Sequence, residues 1–128
     1  TQYDIPFPQL EVITRRAFLK AQPEVATRYM QAIIEGIYMV KNNPEPTIRA
    51  MSKYLRINDR EALEEVYRLY KETYPKIPYP STAAIQTQLT WMGEHDPRAK
   101  NAKPEQFFDG SILREIEKSG FVTRLYQK

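Results

Sequence analysis

The residues best suited to metal or acid–base chemistry are Glu94-His95-Asp96, which contain the only histidine of the chain. Consecutive residues of a helix point about 100° apart, so three neighbours do not converge on one ion. The chain has no cysteine, which removes thiolate nucleophiles, disulfides and zinc–cysteine sites. We therefore interpret the triplet as a solvated helix end, with His95 near the negative end of the helix dipole, and expect no metal site.

A second group of carboxylates lies in a charged helical segment that also carries cations. The group comprises Glu61, Glu64, Glu65, Arg60, Arg68 and Lys71. This mixture favours a salt-bridged outer face, with Glu64–Arg68 and Arg68–Glu72 as i,i+4 pairs, over paired acid–base catalysts. No Gly-x-Ser-x-Gly elbow or glycine-rich phosphate loop is present. The sequence therefore predicts no catalytic residue, no cofactor and no enzymatic activity.

Thr14-Arg15-Arg16 follow a β-branched run, Val12-Ile13-Thr14, that favours an extended strand over residues 10–18. Adjacent side chains of a strand point to opposite faces, so one arginine could reach an anion while the other meets solvent. A ligand-binding role and a purely structural role of these arginines both stay open at this point.

A nucleic-acid surface would require stacked aromatic side chains and a continuous basic stripe. Five of the nine tyrosines lie on or beside apolar stripes, which favours packing in or at the edge of the core: Tyr29, Tyr38, Tyr54, Tyr67 and Tyr70. The net charge is +3, and the 19 basic and 16 acidic side chains are interleaved along the chain. We therefore expect no nucleic-acid partner.

Ten prolines in 128 residues mark the boundaries of the elements that would position these groups. Between them, apolar residues recur every three or four positions, as in amphipathic helices. Helices are predicted over 23–43, after Pro44, after a capping signature at 58–61, from Ser81-Thr82, and from Asp109 or Ser111 to a glycine C-cap at Gly120. A polar loop runs from 97 to 103, a short turn begins at Pro104, and residues 74–80 are extended. The fold class is mainly α, with about five to six helices plus an extended N-terminal strand.

Several segments, in this order, resemble the C-terminal part of a transporter family. They are VITRRAFLK (12–20), QPEVATRY (22–29), IEGI (34–37), YPST (79–82) leading to IQ (85–86), AKPEQFFD (102–109) and LREIEKSGF (113–121). The family is that of the periplasmic substrate-binding proteins of nitrate/sulfonate/taurine-type ABC importers, which share a fold with the thiamine-precursor-binding group. Order and spacing together carry the resemblance, which runs over about residues 10–126.

The resemblance implies a parent protein with two α/β lobes joined by a hinge, and a ligand bound in the cleft between them. Residues 1–20 would form an extended arm or hinge-type strand, and residues 21–128 the helical C-terminal region of the first lobe. On the hinge strand, Thr14 and Arg15 are the candidate ligand-binding residues. The ligand would be a small anionic or heteroaromatic molecule, handed to the ABC permease subunits after hinge closure.

The resemblance also implies that this chain is only the C-terminal portion of its parent, a periplasmic protein that is free or lipid-anchored and whose signal peptide is not in this chain. Apolar helix faces meant for the parent's sheet would then be covered by rearrangement, homodimerisation or strand exchange. Two alternatives remain. The first is a free-standing helical protein–protein interaction module, and the second, which the charge pattern favours less, is a basic helical nucleic-acid binder.

Overall fold

The structure is a computed structural model that describes residue 6 and residues 11–127. Over these residues the chain forms eight α-helices and one 3-10 turn, without a β-strand. They are α1 (Arg16–Ala21), α2 (Pro23–Asn42), α3 (Pro44–Leu55), α4 (Arg60–Thr73), α5 (Thr82–Met92), α6 (Pro97–Lys100), the 3-10 turn (Pro104–Gln106), α7 (Ser111–Lys118) and α8 (Phe121–Tyr126). The expectation of a mainly α fold is confirmed. The described residues divide into two compact units, a larger one of 22–78 and 112–127 and a smaller one of 11–21 and 79–111.

Proline occupies the first turn of four elements, where its missing N–H costs no hydrogen bond. The four positions are Pro23, Pro44, Pro97 and Pro104. The predicted starts of α2 and α3 therefore match the structure. The tyrosine- and proline-rich segment 74–80 is non-helical, also as predicted.

Side-chain caps begin two further helices of the fold. The Ser81 hydroxyl accepts the backbone N–H of Ala84 at 3.2 Å, as the sequence predicts for α5. Helix α4 begins one residue later than its capping signature indicates, because Asp59 rather than Asn58 is the N-cap. The Asp59 carboxylate accepts the N–H of Ala62 at 3.1 Å.

In the larger unit, α2 packs against α3, α4 and α8. Its inner face buries Ile34 completely, in one cluster with Leu113 and Ile116 of α7 and Val122 of α8. This cluster removes large aliphatic side chains from water. Each side chain that is fully buried stabilises the fold by about 1.5–3 kcal/mol.

Helices α3 and α4 enclose a second cluster of the larger unit, formed by Ile48, Leu63 and Tyr67. Tyr67 is buried, but its hydroxyl has no hydrogen-bond partner among the described residues. A buried hydroxyl without a partner costs free energy, because it has lost its bonds to water.

The smaller unit is built on α5, which packs against α6 and the 3-10 turn. The buried residues of this cluster are Ile85, Leu89 and Ala99, with Ala102 and Phe108 packed against them. Helix α1 is joined to the 3-10 turn because the Arg16 guanidinium Nη2 donates to the Gln106 carbonyl at 2.6 Å.

The predicted strand over 10–18, and with it the extended arm over 1–20, is wrong for residues 16–20, which belong to α1. The β-branched run ends at Thr14, and the seven residues that follow include no β-branched side chain, so helix is favoured. Residues 11–15 have no regular secondary structure. Residues 1–5 and 7–10 of the predicted arm lie outside the described residues.

Helices α6 and α8 are absent from the sequence-based prediction. Helix α6 falls in a segment predicted as a polar loop. Helix α8 follows Gly120, which was predicted to end the last helix. Gly120 does take the left-handed conformation, with φ of 74°, but the chain then starts another helical turn at Phe121.

Two glycines are expected to respond in opposite directions to alanine. Gly36 lies inside α2, and a Cβ added there meets no atom within 4 Å, so Gly36→Ala should raise the free energy of unfolding by about 0.5–1 kcal/mol. Gly120→Ala should lower it by about 1–2 kcal/mol, because φ is positive. Urea denaturation followed by circular dichroism at low micromolar protein measures both. Equal effects of the two substitutions would contradict the assigned conformations.

Removing the unpartnered hydroxyl of Tyr67 is expected to stabilise the larger unit. Tyr67→Phe should raise the free energy of unfolding by about 1 kcal/mol, because it deletes a buried polar atom and keeps the ring. The control is Tyr54→Phe, whose side chain is 78% exposed and should change nothing. A loss of stability in Tyr67→Phe alone would show that this hydroxyl does have a partner.

Candidate functional site

The candidate ligand-binding residues Thr14 and Arg15 lie side by side in the irregular segment that leads into α1, and both are exposed. The Arg15 carbonyl accepts the backbone N–H groups of Phe18 at 3.0 Å and Leu19 at 3.2 Å, so its main chain begins α1. Its guanidinium forms no hydrogen bond or ion pair with the described residues. A guanidinium in this state offers five N–H donors to an anion.

The two adjacent arginines therefore have different roles. Arg16 supports the fold through its bond to the Gln106 carbonyl, whereas the Arg15 side chain is exposed to solvent. The residues alone leave open which arginine could meet an anion, and the resemblance implies Arg15. The geometry favours Arg15.

The triplet Glu94-His95-Asp96 does not converge on one point. Asp96 is the N-cap of α6, and its carboxylate accepts the Arg98 backbone N–H at 2.9 Å and pairs with the Arg98 guanidinium at 2.8 Å. The side-chain hydrogen bonds from Arg98 lower the pKa of Asp96 to about 2. His95 is exposed, and its backbone N–H donates to the Met92 carbonyl at 3.0 Å. The interpretation as a solvated helix end agrees with this arrangement.

An open groove of about 230 Å³ between α3 and α4 is lined by paired charges. Arg60 donates from Nε to Glu64 Oε1 at 2.7 Å and from Nη1 to Glu45 Oε2 at 3.2 Å. The hydrogen bond and charge of Arg60 lower the pKa of Glu45, while both glutamates raise the pKa of Arg60. Because Arg60 pairs with both Glu45 and Glu64, these ion pairs link α3 to α4. None of the three charges is left unpaired.

The predicted salt-bridged face of α4 is present, but its pairs differ from those expected. Glu64 pairs with Arg60, and Arg68 pairs with Glu65 three residues before it. These replace the expected Glu64–Arg68 and Arg68–Glu72 pairs. No group of three potential ligands within the described residues is placed to hold a metal ion.

The tyrosines are less buried than the sequence indicates. Tyr67 is buried and Tyr38 half-buried, as predicted. The prediction is wrong for Tyr29 and Tyr54, which are 52% and 78% exposed, and Tyr70 lies at the surface. The exposed rings lie outside the buried clusters of the larger unit.

Sequence reasoning missed a second apolar face of α2, which we name the α2 outer stripe: Val25, Tyr29, Ala32, Gly36 and Met39. All five residues are exposed, although Ile34 on the other side of the same helix is fully buried. Their spacing alternates four and three residues, which keeps them on one helical face. That second series is visible in the sequence. The inner series, with Ile34 and Ile37, gives the stronger apolar pattern and masks it.

Comparison of the chain with protein-family models, with curated proteins and with solved structures finds no match. None of the helices described here is long and apolar enough to cross a membrane. The function of the chain is therefore inferred from its motifs and its geometry.

The ion pair at Asp96 predicts a titration far below the ordinary range. The pKa of Asp96 is about 2 in the folded chain against an ordinary 3.8, so the pair stabilises the fold at neutral pH. That contribution is lost as the pH falls from about 3.8 through about 2. Arg98→Gln should return the midpoint of Asp96, measured by NMR, towards 3.8. The control Arg114→Gln, at another exposed arginine, should leave it near 2, and an unchanged midpoint in Arg98→Gln would refute the assigned cause.

Proposed function

We propose that this chain is the C-terminal, largely helical portion of a solute-binding protein of an ABC importer. The whole protein would work outside the cytoplasmic membrane, free in the periplasm or lipid-anchored. It would bind a small anionic or heteroaromatic molecule and deliver it to the permease subunits. No bond is made or broken, because the mechanism is binding with hinge closure.

One structural observation supports this proposal beyond the ordered resemblance of motifs. Val12 and Ile13 are 52% and 86% exposed in a segment with no regular secondary structure. Both are β-branched and are best accommodated on the surface of a sheet. Full burial of such a side chain stabilises a protein by about 1.5–3 kcal/mol. Pairing with a neighbouring strand that buried Val12 and Ile13 would therefore stabilise this segment.

The same segment carries the candidate ligand contacts. If residues 12–15 pair with a sheet of the parent protein, Thr14 and Arg15 are held at the edge of that sheet rather than in solvent. The Arg15 guanidinium would then bind a planar or tetrahedral anion through two parallel N–H donors. The Thr14 side chain would point to the opposite face of the strand, so it would contact a different part of the ligand or of the parent protein.

The second candidate is a free-standing helical protein–protein interaction module. The observation that favours it is the exposed α2 outer stripe, since a run of exposed apolar side chains on one helix is typical of an interaction surface.

The mass of the native protein separates these candidates. We expect the protein isolated from its source to have a mass more than twice the 15.1 kDa of this chain, and its coding sequence to begin with an export signal. Intact-mass spectrometry with N-terminal sequencing makes the measurement. A native mass near 15.1 kDa would contradict the transport role and favour the interaction module.

The ligand site is tested in the full native protein with nitrate, taurine and an aminopyrimidine as probes. At least one should bind in isothermal titration calorimetry. For an anionic probe, Arg15→Gln should weaken binding at least tenfold, because a charged hydrogen-bond donor is lost. The control Lys20→Gln removes another exposed cation of the same unit and should leave affinity unchanged. Equal binding of an anion by both variants would remove Arg15 from the site.

A further inference from the structure

The α2 outer stripe has the spacing of a coiled-coil seam. Its intervals of four, three, four and three residues run over most of a helix that is about 30 Å long. Val25, Tyr29 and Met39 are 50%, 52% and 42% exposed. We propose that this stripe packs against the same stripe of a second copy of the chain, with the two α2 helices antiparallel.

The charges beside the stripe select this partner and this orientation. Arg28 and Glu35 are both exposed and lie on the same flank of the stripe, two turns apart. A two-fold axis passing between residues 31 and 32 places Arg28 of one copy opposite Glu35 of the other, and does so twice. A parallel pair would instead place these flanks on opposite sides of the seam, so Arg28 and Glu35 of the two copies would not meet.

Arg28 is free to make this change of partner. Its ion pair with Glu24 is long, at 3.7 Å, and the two side chains are 79% and 86% exposed. Such a pair contributes little in water, so little is lost when Arg28 turns to a glutamate of the second copy.

The same two-fold axis also matches large side chains with small ones. Tyr29 of one copy falls between Ala32 and Gly36 of the other, and Val25 falls beside Met39. The surface above Gly36 is open, since an added Cβ would meet nothing within 4 Å. A tyrosine ring therefore has a hole to enter, as in knobs-into-holes packing.

Side-chain size and charge therefore indicate the same two-fold axis. The interface uses the same stripe on both copies. The inference does not depend on the transport role, because self-association and solute binding are measured separately. A single helix pair is a small interface, so we expect a reversible dimer with a Kd of about 1–100 µM.

Sedimentation velocity of the 128-residue chain from 1 to 300 µM tests the proposal. The wild type should pass from monomer to dimer over this range. Ala32→Glu should remain monomeric, because it places two carboxylates next to the two-fold axis. The matched control Ala50→Glu makes the same change at an exposed alanine of α3 and should dimerise like the wild type. Circular dichroism confirms that both variants fold.

A charge exchange then tests the orientation. Arg28→Glu alone and Glu35→Arg alone should each weaken dimerisation at least tenfold, because each places like charges across the axis. An equimolar mixture of the two variants should regain the dimer, since every facing pair is again opposite in charge. A wild type that stays monomeric at 300 µM, an Ala32→Glu variant that dimerises normally, or a mixture that remains monomeric would each overturn the proposal.

Discussion

The larger unit depends on the burial of Ile34, because this side chain is where α2 meets α7 and α8. Those two helices are eight and six residues long, which is shorter than an isolated helix needs to persist in water. They are stable because Leu113, Ile116 and Val122 close over Ile34. The same helix contacts α3 and α4, so α2 organises the whole unit.

The α-helices of eight residues or more could be predicted from the sequence, and the shorter α1, α6 and α8 could not. Pro23, Pro44 and Ser81 mark helix starts through a missing N–H or a hydroxyl acceptor, and these signals are local. Helices α1, α6 and α8 span six, four and six residues, too few for an apolar period to appear. Two of them also have distant contacts: Arg16 of α1 bonds to the carbonyl of Gln106, 90 residues away, and Val122 of α8 packs against Ile34.

The candidate site could be predicted only in part, because its geometry also depends on contacts between residues distant in the sequence. The sequence identified Thr14 and Arg15 as neighbours, but only the contact of Arg16 shows which of the two arginines remains open. On α2, apolar side chains occupy two faces, and the stronger pattern, with Ile34 and Ile37, correctly indicates the inner one. The outer face becomes evident only in the structure, where α7 and α8 cover Ile34 and leave Tyr29 exposed.

The two exposed apolar surfaces differ in what can cover them. Val12 and Ile13 lie in a segment without regular structure, so a neighbouring strand would satisfy their backbone groups as well as their side chains. The α2 outer stripe belongs to a helix whose backbone bonds are internal, and it requires only side-chain packing. A strand is therefore the best partner for the first surface, and a helix for the second. In a longer protein, a domain that covered α2 would remove the dimer while leaving the segment before α1 free to bind its sheet, so solute binding and self-association can be gained or lost independently.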